Sequence, residues 1–161
     1  MRKIIMTTTV QERLDAANIT LPTPSTPAAN YVPYVVSGNQ VFISGQVPIV
    51  DGSVEGNTGI VGDEVSVEDA KKIARICALN LLAQAKAANN GSLENIRCVK
   101  LGVFVQATND FTQHPEVANG ASDLMVEVLG DDGKHARFAV GAVSLPRGVA
   151  VEVDGVFELL A

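Results

Sequence analysis

The sequence predicts an α+β fold, a mixed β-sheet with two helices on one face. Segments with strand and helix patterns follow one another in the order strand pair, helix, strand, helix, strand pair. The chain has 161 residues, which suit one domain and are too few for two of ordinary size. Apolar residues make up 47% and charged residues 19%, a balance that allows a core to form.

Residues 1–27 are predicted to form an N-terminal helix and a proline-rich arm. Thr9 and Glu12 have the spacing of a capping box at the start of a short helix. Prolines at positions 22, 24 and 27 then prevent helix and favour extended chain. Residues 1–6 carry two charges but too short an apolar stretch for a secretory signal, and they are interpreted as a start segment or a frayed end. We expect the arm to lie on a single domain formed by residues 28–161.

The first part of that domain is predicted to contain a β-hairpin and a long helix. The hairpin spans residues 34–44, and Gly38-Asn39 forms its turn. Residues 51–62 are rich in glycine and are predicted to form a loop. The helix begins after Ser66, a good N-cap residue, and ends at Asn89-Asn90-Gly91, which tolerate positive φ.

The second part is predicted to contain a strand, a helix and a final strand pair. In the strand over residues 97–107, valines and a leucine alternate on one face, while Cys98 and Phe104 lie on the other. Both faces are therefore predicted to be covered. The helix runs from about Pro115 to Leu129. Strands 137–143 and 149–157 flank a turn at 145–148 and complete the pattern.

Composition excludes several classes of function. The 12 basic and 18 acidic residues give a formal charge of −6, which argues against neutralising nucleic-acid phosphates. No apolar run reaches the roughly 18 residues of a membrane span, so a cytoplasmic protein is predicted. Cys77 and Cys98 are predicted to be reduced core residues. His114 and His135 are too few and too far apart for an imidazole metal site, so no metal is predicted.

Two charged residues in apolar strands are candidates for chemistry. Arg137 would usually extend to solvent from a strand end, and its position alone favours that interpretation. The alternative is a two-pronged clamp for a substrate carboxylate. Glu152 lies on the strand face opposite Val151 and Val153. It is either part of a solvated face or a carboxylate that activates water.

Three further positions give weaker signals. The ring of Tyr31 is of a kind that usually packs in a core or interface. Ser44-Gly45 ends a strand, where glycine permits close approach to the backbone. Asn119, early in the second helix, is more often solvated than bound to a ligand.

These segments, in this order, resemble the Rid (reactive intermediate deaminase, YjgF-like) family. The resemblance covers about residues 28–158 and rests on three pieces of sequence, namely Asn30-Tyr31-Val32 ahead of residues 38–48, His135-Ala136-Arg137, and residues 145–153. The N-terminal helix, the proline arm and an insertion around His114 resemble a longer subgroup of that family.

The resemblance implies a chorismate-mutase-like fold assembled into a homotrimer, whose sheets form a central barrel. It implies ligand sites for a small carboxylate in the clefts between subunits. Characterised members hydrolyse enamines and imines, such as 2-aminoacrylate, to 2-keto acids and ammonia. The resemblance further implies that no cofactor or metal is needed.

Carried over position by position, the resemblance assigns roles to the candidate residues. Arg137 matches the arginine that pairs with the substrate carboxylate, and Glu152 matches the glutamate near the attacking water. Tyr31 and the strand end Ser44-Gly45 match residues that line the cleft. Asn119 also aligns with a substrate-binding position.

Phe138 departs from the family pattern. Deaminase members commonly carry Ser and then Cys after the arginine, whereas Phe138 and Ala139 stand here. Phe138 is therefore predicted to line and reshape the substrate pocket. Three functions stay open at this point: an imine and enamine deaminase, a carboxylate-binding module without turnover, and an endoribonuclease, against which the acidic charge argues.

Overall fold

The computed structural model of the protein describes residues 8–27 and 29–161. The predicted frayed start lies outside the described residues, as does position 28 at the predicted domain boundary. Eight main elements follow one another in these ranges: α1 (Val10–Ala16), β1 (Tyr34–Ser37), β2 (Gln40–Gln46), α2 (Val67–Ala88), β3 (Ile96–Gln106), α3 (His114–Leu129), β4 (Ala136–Ala142) and β5 (Val151–Leu159).

The strands form one five-stranded sheet in the order β1-β2-β5-β3-β4. All neighbours are antiparallel except β3 and β4, which are parallel. The predicted final strand pair is therefore wrong, because β3 lies between β4 and β5. The connection passes over the end of β3, where the Gln106 side chain accepts a hydrogen bond from the Leu145 amide at 2.8 Å.

Helices α2 and α3 pack against the sheet and against each other. The Ser66 hydroxyl caps α2 by accepting a hydrogen bond from the Asp69 amide at 3.1 Å. The short helix α1 joins this layer, because Val10 and Leu14 are buried in the same core. None of the helices in the described ranges is long and apolar enough to cross a membrane.

A register shift in β3 changes which side chains face the helices. The pairing with β5 shifts between Cys98 and Lys100, so that Val99 is an extra residue in the strand. Cys98 consequently lies in the core with Leu101 and Val103, and its predicted place on the other face is wrong. Cys77 and Cys98 are both free and buried, as predicted, and burial raises the pKa of Cys98 to about 12.

The other face of the sheet carries aromatic side chains that none of the helices in the described ranges covers. The rings of Phe104 and Phe138 meet edge to face with centroids 5.3 Å apart, and Phe42 is 46% exposed. Gly102 makes room for them, because a Cβ atom there would overlap the Phe138 ring. We call Phe42, Phe104 and Phe138 the open face.

Candidate functional site

A cleft of about 190 Å³ lies where the proline arm crosses the ends of β2 and β5. Four of the predicted site residues line this cleft together, namely Tyr31, Ser44, Gly45 and Glu152. Its other walls come from the arm, from α2 and from the turn before β5, through residues that include Ser25, Thr26, Pro27, Gln84 and Arg147.

The end of β2 is irregular in a way that opens this cleft. The pairing of β2 with β5 shifts between Ile43 and Gln46, which places Ser44 and Gly45 in a bulge. The Ser44 hydroxyl donates to the Val32 carbonyl at 2.8 Å. A Cβ atom on Gly45 would overlap the carboxylate of Glu152. Glycine is therefore required here for Glu152 to lie against the backbone of β2.

Glu152 is half-buried, and its surroundings make it easier to protonate than an ordinary glutamate. Burial is the main cause of its raised pKa, and the nearby negative charge of Asp154 raises that pKa further. Burial also raises the pKa of Asp154. A carboxylate with a raised pKa exchanges protons more readily near neutral pH, as a general base or acid must.

Arg137 is held by neutral partners on α3 and does not extend freely into solvent. Its Nη1 atom donates to Asn119 Oδ1 at 2.9 Å and to Ser122 Oγ at 3.1 Å. Within residues 8–27 and 29–161, no carboxylate lies within 4.0 Å of the guanidinium. Since the chain has 18 acidic residues, an arginine that pairs with none of the described ones is available to an external anion.

Ser122 and His135 extend this network, and neither was predicted as a site residue. His135 Nδ1 lies 2.6 Å from the Gly133 carbonyl, which can only accept a hydrogen bond, so Nδ1 carries the proton. In the neutral ring, Nε2 then accepts from the Ser122 hydroxyl at 2.9 Å. This directs the oxygen of Ser122 toward Arg137. A signal was available, because Ser122 follows Asn119 by one helical turn.

The arm is fixed to the cleft by Gln84, which the sequence analysis also missed. This side chain is 1% exposed, and its Nε2 atom donates to the Ser25 carbonyl at 2.8 Å. A glutamine at the edge of an otherwise apolar helical stripe was the available signal, since a buried amide requires a partner.

The predicted site residues fall into groups on opposite faces of the sheet. In the register of the sheet, Arg137 lies opposite Leu101 of β3, and Glu152 lies opposite Phe104 of the same strand. Leu101 and Phe104 are three residues apart, so they point to opposite faces. Arg137 therefore lies with Asn119 on the helix side, and Glu152 lies on the other. Phe138 lies against Phe104 on the open face and not beside Arg137.

Among the described residues, no group of three or more His, Cys, Asp or Glu side chains could hold a metal ion.

Residues 11–154 match the family model described as "YjgF/chorismate mutase-like, putative endoribonuclease". The chain belongs to the YjgF/chorismate mutase-like family. This confirms the resemblance and the chorismate-mutase-like mixed sheet predicted from the sequence.

Relatives of this family match almost the whole chain. Protein TCP17 of Trypanosoma cruzi is 47% identical over 153 residues, which cover 93% of this chain and 94% of the relative. A crystal structure of a protein of unknown function from Agrobacterium tumefaciens is 45% identical with a TM-score of 0.86, covering 93% of this chain and 92% of that one. A crystal structure of a putative endoribonuclease from Shewanella oneidensis is 32% identical with a TM-score of 0.89. The match covers 94% of this chain and 99% of that one.

Proposed function

We propose that this YjgF-family protein hydrolyses reactive enamines and imines of the 2-aminoacrylate type to 2-keto acids and ammonia. The observation that carries the proposal is the state of Arg137, whose guanidinium is oriented by Asn119 and Ser122 and has no carboxylate partner in the described chain. Its planar fork suits the carboxylate that every 2-imino acid carries.

The reaction needs orientation and a water molecule more than a strong nucleophile. An enamine becomes an imine by taking a proton on carbon, and a protonated imine carbon is electrophilic. Glu152 accepts a proton as water adds to that carbon, and the resulting carbinolamine then breaks its C–N bond to release ammonia and the 2-keto acid. Arg137 holds the substrate carboxylate so that the imine carbon faces the water.

One chain does not bring these two side chains together, because they lie on opposite faces of its sheet. A second copy of the chain can supply Arg137 to the cleft that holds Glu152. The open face supports the same assembly, since no helix of the described part of the chain lies above the aromatic rings of Phe42, Phe104 and Phe138. We therefore propose a homotrimer with the substrate bound between subunits.

We expect light scattering to give the mass of a trimer at micromolar concentration. The physical reason is the apolar surface of the open face, which association removes from water. Replacing Phe42 by aspartate should weaken this association, whereas replacing the exposed Glu116 of α3 by lysine should leave the mass unchanged. A wild-type protein that stays monomeric would rule out a shared site.

The function is tested by generating 2-aminoacrylate in situ and following ammonia and pyruvate. We expect both products to appear faster with the protein than in buffer, in equal amounts. Binding of the imine without faster product release would favour a carboxylate-binding module in place of an enzyme. A Glu152→Gln variant that still binds the imine but no longer accelerates product release would favour the enzyme over the binding module.

We expect the acidic limb of the pH–rate profile to reflect the pKa of Glu152. Its negative neighbour Asp154 raises the pKa of Glu152, so Asp154→Asn should lower that pKa and shift the acidic limb of kcat/KM to lower pH. The asparagine oxygen can still accept a hydrogen bond from Gly102, as Asp154 does. A pH–rate profile for wild type and variant measures this shift.

The matched control for this experiment is Asp63→Asn, which removes an exposed carboxylate from a loop outside the cleft. Its acidic limb should coincide with that of wild type. An acidic limb that does not move in Asp154→Asn, or that moves to higher pH, would exclude Glu152 as the titrating base.

A further inference from the structure

We propose that Arg147 binds a second anionic group of the substrate, so that the preferred substrates are imino acids with an acidic side chain. This inference rests on the proposed function and adds a substrate class to it. Arg147 lines the same cleft as Glu152, Tyr31 and Ser44 and comes from the same chain. Arg147 lies within residues 145–153, which carry part of the family resemblance, but it was not among the predicted site residues.

The turn that carries Arg147 is fixed at both ends. The Gly148 amide donates to the Leu145 carbonyl at 3.0 Å, which closes the turn. Gln106, at the end of β3, accepts from the Leu145 amide at 2.8 Å, and the Gly59 amide donates to the Gly148 carbonyl at 2.9 Å. The base of the Arg147 side chain is therefore held at the cleft while its guanidinium is exposed.

The backbone of Arg147 lies in the left-handed region, with φ 58° and ψ 14°. It follows Pro146 inside the turn that the Gly148 amide closes, and glycine is the residue that adopts this backbone conformation most easily. Any residue with a Cβ atom is disfavoured there. An arginine at a position that glycine would fill more easily points to a role for the side chain outside the fold.

Among the residues that the structure describes, no ion pair or side-chain hydrogen bond accounts for the guanidinium of Arg147. Within the described ranges of the chain it makes no ion pair shorter than 4.0 Å. Of the described residues that line this cleft, Glu152 is the one with a carboxylate. Its negative charge repels an acidic substrate, and a cation in the same cleft offsets that repulsion.

Two arginines then bind the two anionic groups of a dianionic substrate. The α-carboxylate binds Arg137 of a neighbouring copy, as proposed above, and the second anionic group binds Arg147. A monoanionic substrate such as 2-aminoacrylate uses only the first contact. The chemical class that satisfies both is a 2-imino acid whose side chain ends in a carboxylate.

The test compares two imines made in situ by an amino acid oxidase, one from glutamate and one from norvaline. Norvaline has the same number of carbon atoms as glutamate and lacks the second carboxylate. We expect wild type to have the higher kcat/KM on the glutamate-derived imine. Arg147→Gly should lower that value about 10- to 150-fold, the range for loss of a hydrogen bond to a charged group. Turnover of the norvaline-derived imine should stay within about twofold.

Two controls keep the result interpretable. Arg147→Gly should be at least as stable as wild type in thermal unfolding, because glycine suits the turn, so misfolding does not explain a selective loss. Lys72→Ala removes one positive charge from the exposed start of α2 and should change neither substrate.

The outcomes separate the two proposals. Turnover of neither imine by wild type would refute the proposed function. Turnover of both with no preference for the glutamate-derived imine would refute only the role of Arg147. An equal fall on both substrates in Arg147→Gly would show that the turn shapes the cleft and does not select the side chain, which also overturns the inference.

Discussion

Replacing Arg137 by lysine should lower kcat/KM nearly as far as replacing it by alanine. Lysine keeps the charge, but a single ammonium group cannot hold a carboxylate in two-pronged geometry and also reach both Asn119 and Ser122. Loss of a charge-assisted pair in a partly desolvated cleft costs about 2–4 kcal/mol, which corresponds to roughly 30- to 1,000-fold. The measurement is kcat/KM on an imine that bears a carboxylate, with the oligomer mass checked for each variant.

A matched arginine-to-lysine change is available on the protein surface. Arg75 pairs with Glu127 at 2.8 Å on the exposed side of α2 and α3, so Arg75→Lys should leave turnover unchanged. Folding of the Arg137 variants should change little, because the side chain is only partly buried and its hydrogen bonds go to the neutral side chains of Asn119 and Ser122. Turnover close to wild type in Arg137→Ala would remove Arg137 from the site and with it the main support for the proposed function.

Replacing Gly120 by alanine should destabilise the fold, although alanine is the better helix former. A Cβ atom at position 120 of α3 would overlap the backbone carbonyl of Lys71 in α2. A backbone group cannot turn aside as a side chain can, so the two helices must separate. Overpacking of about 1–3 kcal/mol or more outweighs the roughly 1 kcal/mol gained in helix propensity. We expect a net loss of about 2 kcal/mol in the free energy of unfolding, measured with denaturant.

The control for this change is Asp123→Ala, on the exposed side of the same helix. It also raises helix propensity and removes only a 3.7 Å surface pair with Lys71, so its effect should stay within about 0.5 kcal/mol. Equal or greater stability of Gly120→Ala would mean that α2 and α3 are not held as closely as their geometry indicates.

The elements with local signals were predictable from the sequence. The capping boundaries of α2 and the hairpin turn at Gly38-Asn39 are set by neighbouring residues, and the structure places them as predicted. Asn119 and Arg137 were also singled out, and they are in direct contact. In each case the residue types within one short segment contain the information.

The features that were missed depend on segments far apart in the chain. The place of β5 between β2 and β3 is decided by which strands share a core, and no short segment contains that choice. The extra residue at Val99 reverses the facing of Cys98, because strand alternation has a period of two. The same dependence on pairing hides the separation of Arg137 and Glu152 onto opposite faces.

The position of β5 also determines the order in which the protein can fold during synthesis. This strand follows every other strand in the sequence, yet it pairs with β2 on one side and β3 on the other. Until β5 has been synthesised, no strand joins the hairpin to the segment from α2 to β4. A nascent chain halted before Val151 therefore presents two additional unpaired strand edges, those of β2 and β3, which are sites for aggregation and for chaperone binding.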